Sequence, residues 1–416
     1  MHEREFDIVL FGATGFVGSL LAAHLATAVG QDVRIALAGR SMTRLAALRA
    51  RLGEPACTWG TVEVDAFDSV GLRALASRTG VLATTVGPYA RYGRQVVRAA
   101  AEEGAHYADL TGEVLFVRWT LDEVAERARE TGARIVHSCG FDSIPSDLGV
   151  LLTAARAATD GQGTLEDTTL VVRSLKGGIS GGTIDSFRQQ AIAANNDPAA
   201  QRVLRDPYAL SPRRAEEPTP PLTAPRGHRG GWGPAERDPE SGRWTGPFVM
   251  ADYNTRLVRL SNTLSDWSYG RGLGYREVTD FGSGLAAPLL AAGTAIGLGA
   301  FSGGMSWAPS RAVLDRFLPA PGEGPSATQR SAGRFRMEIS GTTTTSARYR
   351  TTVAADHDPG YGGTAIMLAQ SALCLALDGA RLPLKAGVLT PATAMGHVLV
   401  DRLRACGFTF EVERVE

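Results

Sequence analysis

The sequence predicts an α/β protein in two parts: an N-terminal doubly wound parallel sheet, then a C-terminal α+β domain containing an antiparallel sheet. Three observations carry this. β-Branched runs alternate with helical patterns over residues 1–150, a glycine-rich turn follows the first run, and strands with one polar face replace the alternation further on. The runs Phe6–Phe11, Val33–Leu37, Thr58–Val64, Val81–Thr85, His106–Leu110 and Arg134–Ser138 read as strands, with helices such as Phe16–Val29 and Met42–Leu52 between them. Strands joined by helical crossovers lie parallel, because an antiparallel neighbour needs only a short turn.

Past residue 150 the period changes. Thr168–Leu175 reads as a strand, Thr183–Asn195 as a helix, and Arg334–Ile339 with Ala347–Ala354 as a hairpin about Gly341 with one wet face. Residues 151–390 form the second domain in this reading. Helices at Gly362–Leu377 and Ala392–Cys406 and a strand at Thr409–Glu413 end the chain, and residues 391–416 are expected to turn back towards the first domain. Residues 206–247 hold nine of the 21 prolines, a composition that cannot supply a core and reads as a long, partly ordered excursion.

From Phe281 to Ser310 run thirty residues without a charge. A membrane-spanning helix needs about 20, but seven of these are Gly and two are Pro. The preferred reading is a buried or lid-like helix over an apolar pocket, with a membrane-surface or partly inserted element and, last, a true span as the alternatives.

Lys+Arg and Asp+Glu balance at 43 each, which gives no argument for a nucleic-acid partner. The four cysteines form no CxxC pair and the seven histidines no HxxxH or HxH spacing, so no metal is expected. The opening MHEREFDIVLFGATG lacks a basic-then-apolar leader pattern, and a reduced, cytoplasmic location is expected, with peripheral membrane contact left open by the uncharged run.

The first strand leads into Gly12-Ala-Thr-Gly15-Phe-Val-Gly18, which opens a helix. Glycines at this spacing permit a tight turn and a close approach of phosphate to the helix N-terminus, the fingerprint of a Rossmann dinucleotide site. Gly12, Thr14, Gly15, Phe16, Val17 and Gly18 are the expected cradle. The second strand ends in Ala38-Gly39-Arg40-Ser41, where an NAD site usually places a carboxylate about 20 residues beyond the glycines. A guanidinium there attracts a 2′-phosphate, so Gly39, Arg40 and Ser41, with Arg44 nearby, predict NADP(H). Val86, Gly87, Pro88 and Tyr89 follow the fourth strand and are expected beside the nicotinamide half. Tyr89 reads either as a proton donor or as a packing aromatic.

The loop Cys139–Asp147 lies after the sixth strand. Its Asp142 and Ser143 are candidates to anchor the carboxamide or the substrate, whereas Ser146 and Asp147 read as helix caps. Tyr107, Asp109, Thr111 and Glu113 cluster after the fifth strand. The loop Gly177–Gly182 with Thr183 reads as a helix start facing the substrate, and Tyr361 is the acid candidate in the second domain. Tyr89, Asp142, Ser143 and Tyr361 are therefore the catalytic candidates. Neither Lys176 nor Lys385 has a tyrosine four residues earlier, which excludes the Tyr-xxx-Lys chemistry of short-chain dehydrogenases.

Taken in order, FGATGFVG (Phe11–Gly18), AGRS (Ala38–Ser41), VGPY (Val86–Tyr89), HYADLTGE (His106–Glu113), CGFDSIPSDLG (Cys139–Gly149), SGGT (Ser180–Thr183), DPGYGGTA (Asp358–Ala365) and GVLTPATAMG (Gly387–Gly396) resemble the saccharopine dehydrogenase-like oxidoreductases, in their trans-acting enoyl reductase branch. The resemblance implies an NADP-binding first domain and a second domain that dimerises or shapes the substrate cleft. For the branch it implies reduction of a C=C bond in a hydrophobic polyketide- or lipid-derived chain. Saccharopine itself is not the expected substrate, since no arginine pattern matches two amino-dicarboxylate halves. An imine or ketone reductase, and a lipid-associated nucleotide-binding protein without catalysis, stand as alternatives.

Overall fold

The computed structural model describes residues 4–415 apart from 178–180, 219–234, 240, 307–308 and 310–325. Ser180 of the SGGT motif, residues 219–234 in the Pro-rich excursion and most of the end of the uncharged run thus lie outside the described residues.

The early aliphatic runs are apolar on both faces, as strands covered by helices on both sides must be. They form β1 (Phe6–Phe11), β2 (Ile35–Gly39), β3 (Gly60–Glu63), β4 (Thr79–Thr84), β5 (His106–Ala108) and β6 (Arg134–Val136). Later come β7 (Leu165–Lys176), β8 (Glu236–Arg237), β9 (Trp244–Pro247), β10 (Gly274–Gly282), β11 (Arg334–Thr343), β12 (Arg348–Ala355), β13 (Gly387–Leu389) and β14 (Thr409–Arg414). Among the described residues these make two seven-stranded sheets.

The first sheet runs β3-β2-β1-β4-β5-β6-β13 with every neighbour parallel. It is the doubly wound Rossmann sheet, extended by β13 from far along the chain. The second runs β14-β12-β11-β7-β10-β9-β8 and is mixed, because β7 and β10 pair in parallel while their neighbours are antiparallel. The helix Ile144–Thr159 leaves β6 and packs on β11 and β12, so one continuous apolar core reaches from the first sheet into the second.

Several expectations need correction. Gly341 stands inside β11 opposite Tyr349, and the hairpin turns at residues 344–346, where Ser346 takes φ 68°. The helix expected over Ala392–Cys406 is two, Pro391–Ala394 and Gly396–Ala405, broken at Met395 and Gly396. The final strand β14 belongs to the second sheet. The Pro-rich excursion does supply core at its start, where Tyr208 and Leu210 are buried and the Arg214 and Arg259 guanidiniums lie over the Tyr208 ring. The uncharged run forms the helix Ala287–Ser306, but it is not buried. Among its described residues Ala287, Ala291 and Met305 are buried, Leu298 and Phe301 are half-buried, and Leu289 and Leu290 point outward.

Asp147 joins the parts. It sits fully buried on the helix Ile144–Thr159, accepts the Ala392 N–H at 2.8 Å at the start of the C-terminal return, and is bonded to the Ser261 hydroxyl. Ala392 is in the first turn of its helix, so the carboxylate caps another element, not its own. Burial outweighs these bonds and pushes the carboxyl up to about 6. Between the ordinary value of 3.8 and that point, the native state keeps a proton that the unfolded chain has released. Stability from this group therefore falls as pH rises through the window and is flat on either side. We expect Asp147→Asn to remove a slope of about 3 kcal/mol between pH 4 and 6; urea unfolding midpoints of the two proteins that stay parallel across that range would contradict it.

Candidate functional site

Because the strands of the first sheet are parallel, their connecting loops gather at one edge, where ligands bind in such sheets. Gly12 begins the first loop with φ +86°, a left-handed backbone that costs a side chain dearly, and a Cβ there would lie 2.5 Å from Val86. At Gly18 a Cβ would stand 2.2 Å from the Gly12 carbonyl oxygen, so the helix can only seat itself this close to the turn without a side chain. The helix Phe16–Ala28 starts at Gly15 with no side-chain cap and no acidic residue in its first turn. Its opening N–H groups face a cavity lined by Gly12, Thr14 and Gly15.

A second helix, Tyr89–Glu103, starts beside the same cavity and is closed. Buried Glu113 accepts the Tyr89 N–H at 2.7 Å and the Ala90 N–H at 2.8 Å, and also the Ser186 hydroxyl at 2.8 Å. Burial raises the Glu113 carboxyl, while these three donors pull it down. Of the two helix starts, only that at Gly15 is left for an anion.

The cavity continues past Gly39, Arg40 and Arg44 to Asp65, Phe67 and Tyr92. Arg40 is exposed and has neither a hydrogen bond nor an ion pair among the described residues. Arg44 spends its guanidinium on the Thr14 carbonyl oxygen at 3.1 Å, holding the glycine turn. Ser41 does not line the cavity. It caps the helix Met42–Leu52 by accepting the Arg44 N–H at 3.4 Å, and Glu63 holds the Met42 N–H at 2.7 Å. The rings of Phe67 and Tyr92, 5.5 Å apart, were not singled out from sequence.

Gly15, Thr85, Gly87, Pro88 and Asp185 line this cavity and also the next, so the two form one groove. The inner part is walled by Phe16, Leu110, Phe187, Met250 and Tyr361, with Asp142 and Thr183 among them. Asp142 accepts the Thr183 hydroxyl at 3.1 Å, and its backbone carbonyl is held by the Asn254 amide at 2.7 Å. Desolvation raises the Asp142 carboxyl above its ordinary range, with Thr183 opposing. Tyr361 packs edge-on against Phe16 at 5.0 Å, and the Gly181 backbone bonds its hydroxyl.

Two candidates have their hydroxyls engaged elsewhere, although Tyr89 also borders the inner part of the groove. Tyr89 is buried, and its hydroxyl donates to the Thr84 carbonyl and accepts the Leu110 N–H, both at 3.2 Å. With both capacities engaged it acts as the packing aromatic. Ser143 is turned away from the groove to donate to Asn254 Oδ1 at 2.8 Å. Asp142 and Tyr361 remain together on the wall. Val17, Val86 and Gly87 line the groove. Ser186, Phe187 and Gln190 were missed, although with Thr183 they fall at i, i+3, i+4 and i+7 on one helical face.

Residues 8–136 match the family model of the saccharopine dehydrogenase NADP-binding domain. The chain is 46% identical to the trans-acting enoyl reductase of Mycobacterium bovis, over 99% of each chain. It is 45% identical to that of Mycobacterium ulcerans, again over 99% of each. The chain belongs to this family. It is an oxidoreductase of the saccharopine dehydrogenase-like group, in the trans-acting enoyl reductase branch. Saccharopine dehydrogenase of Saccharomyces cerevisiae shares the fold of this chain, with a TM-score of 0.54 at 14% identity over 98% of this chain and 99% of its own.

Glu113 offers a test of how the groove is held. Glu113→Gln presents an amide N–H₂ where two backbone N–H groups and a hydroxyl donate, leaving at least one buried donor unmet. We expect a loss of about 1–3 kcal/mol in urea unfolding; unchanged stability would mean that Glu113 is not the joint.

Proposed function

We propose that the chain is an NADPH-dependent reductase that adds hydride to a C=C bond conjugated with a carbonyl in a small hydrophobic acyl or polyketide-like substrate. One observation carries this reading: a single groove runs from uncommitted Arg40 to an apolar chamber that holds Asp142 and Tyr361. The name of the relatives, trans-acting enoyl reductase, supports the choice of bond.

The residues present fit the dinucleotide. Gly12 and Gly18 leave room for backbone approach and no room for a side chain, and the helix start at Gly15 is open. First-turn N–H groups would hold the pyrophosphate, Arg40 the 2′-phosphate, and the Phe67–Tyr92 pair one face of the adenine. When bound, NADPH supplies the hydride.

The chain's own residues then handle charge and proton. Hydride addition at the β-carbon leaves negative charge towards the substrate carbonyl, which needs a donor in a water-poor setting. The Tyr361 hydroxyl is that donor. Asp142, whose carboxyl is kept more protonated by burial, delivers a proton to the α-carbon, with the Thr183 hydroxyl fixing the carboxyl's orientation at Oδ2. Phe16, Leu110, Phe187 and Met250 exclude water and receive the hydrocarbon.

Reduction with 4-deuterated NADPH in ordinary water should place deuterium on the β-carbon alone. Label on a carbinol or amine carbon would replace this reading with ketone or imine reduction. Asp142→Asn should lower kcat by about 10²–10³ with the NADPH Kd unchanged. For the cofactor, Arg40→Ala should weaken NADPH by about 10–100-fold and leave NADH nearly as it was. Removing the Glu63 carboxylate by Glu63→Gln should strengthen NADPH. Titration by protein fluorescence measures all of these affinities, and an Arg40→Ala protein that binds NADPH as before would defeat the assignment.

A further inference from the structure

We propose that the helix Ala287–Ser306 is an interfacial membrane anchor, which seats the protein on a lipid surface with the cavity-lining helix Gly181–Asn196 behind it. An internal comparison shows how unusual the helix is. The segment Pro359–Leu377 has the same length and mean hydropathy, yet 72% of its apolar window is buried, and it is an ordinary core helix. Only 12% of the corresponding window in Ala287–Met305 is buried. A surface helix normally turns charged residues outward. This one lies in a run with no charge from Phe281 to Ser310 and turns out Leu289 (76% exposed), Leu290 (56%) and Ile296 (72%), with Leu285 (100%) just before it.

The shape of the exposed area points to a lipid phase over a second copy of the chain. At about 3.6 residues per turn, the exposed positions Leu289, Leu290, Gly293, Ile296, Gly297 and Gly299 spread around about half of the circumference. That is wider than the stripe of about 100° by which a helix packs on a neighbour. A rigid partner would cover part of this arc and leave the rest in water, whereas acyl chains deform to cover all of it. Nor does the outer face ask for water. The Thr294 hydroxyl donates back to the Leu290 carbonyl at 2.9 Å, and the helical backbone satisfies itself.

The helix lies on the membrane and does not cross it. Ala287 and Ala291 near one end and Met305 at the other are all buried against the body, so it is seated on the protein at both ends. A spanning helix would have to leave that seat. Its neighbours are β9, β10 and the helix Gly181–Asn196, whose other side lines the groove through Thr183, Ser186 and Phe187. That an apolar substrate passes from lipid to chamber along this route rests on the proposed reduction; the anchor does not.

Full-length protein mixed with vesicles of pure phosphatidylcholine at about 0.5 M NaCl, where charge attraction is screened, should pellet with the vesicles. The double substitution Leu289→Asp and Leu290→Asp should lower the bound fraction at least tenfold, and Ile296→Lys severalfold, with NADPH binding in both variants as in the wild type. A wild type that stays in the supernatant, or variants that pellet equally, would overturn the anchor. So would a vesicle-free dimer that the double substitution dissociates, since a second copy would then cover the helix. A protein that pellets yet reduces no alkene would sink the proposed reaction and leave the anchor standing.

Discussion

The candidate site depends on one buried carboxylate. Glu113 comes from the loop after β5, takes two N–H groups from the helix that follows β4, and takes a hydroxyl from Ser186 in the second part of the chain. A carboxylate out of water is costly unless donors surround it, so the native packing favours bringing these three segments together. Their meeting fixes the Val86–Tyr89 loop, closes one helix N-terminus, and stands the groove's wall against the first sheet. The helix start at Gly15 is the open one of the two, because the Glu113 carboxyl already occupies the rival start.

A second buried acid fixes the floor behind it. Asp109 accepts from the Ser138 and Thr111 N–H groups and the Tyr107 hydroxyl, each at 3.0 Å, and shares a 2.8 Å hydrogen bond with His137, whose other nitrogen meets Thr120. Such a network specifies one arrangement because every member is engaged. It pins the carboxyl ends of β5 and β6 together, which delivers the loop carrying Asp142 to the groove. Asn254 then holds that loop from the far side through the Asp142 carbonyl and the Ser143 hydroxyl. The polar cluster HYADLTGE is thus scaffold, and the acid it presents lies elsewhere in the chain.

What could be read from sequence was local. The glycine turn, the alternation of strand and helix, and Arg40 after β2 depend on residues close together in the chain, and a short window contains them. Orientation was not legible. Whether the Tyr89 hydroxyl is free is settled by the Leu110 N–H, 21 residues away, and whether Ser143 faces the groove is settled by Asn254, 111 residues away. The same limit explains the uncharged run. Composition marked it as apolar, but burial depends on whether the rest of the fold has a hollow to receive it, and here only Ala287, Ala291 and Met305 are buried among the helix's described residues. The face Thr183, Ser186, Phe187 and Gln190 was legible by helical period, yet only the position of that helix over the sheet makes the period meaningful.

The wall itself is held differently from the floor. In the sixteen-residue helix Gly181–Asn196 only Gly181 and Ile184 are buried. Its attachment to the first part of the chain runs through polar contacts: Thr183 to Asp142, Ser186 to Glu113, and the Gln190 side chain accepting the Val114 N–H at 2.9 Å. Elements with little buried apolar surface open at low cost compared with the core. Hydrogen bonds can also be exchanged for bonds to water or ligand with little net change, whereas a packed apolar contact cannot. The groove therefore joins a rigid cofactor floor, set by a dense buried network, to a wall that can part along its polar seam. Under the proposed reduction, an apolar acyl substrate would enter along that seam without disturbing the glycine turn on which the dinucleotide would lie.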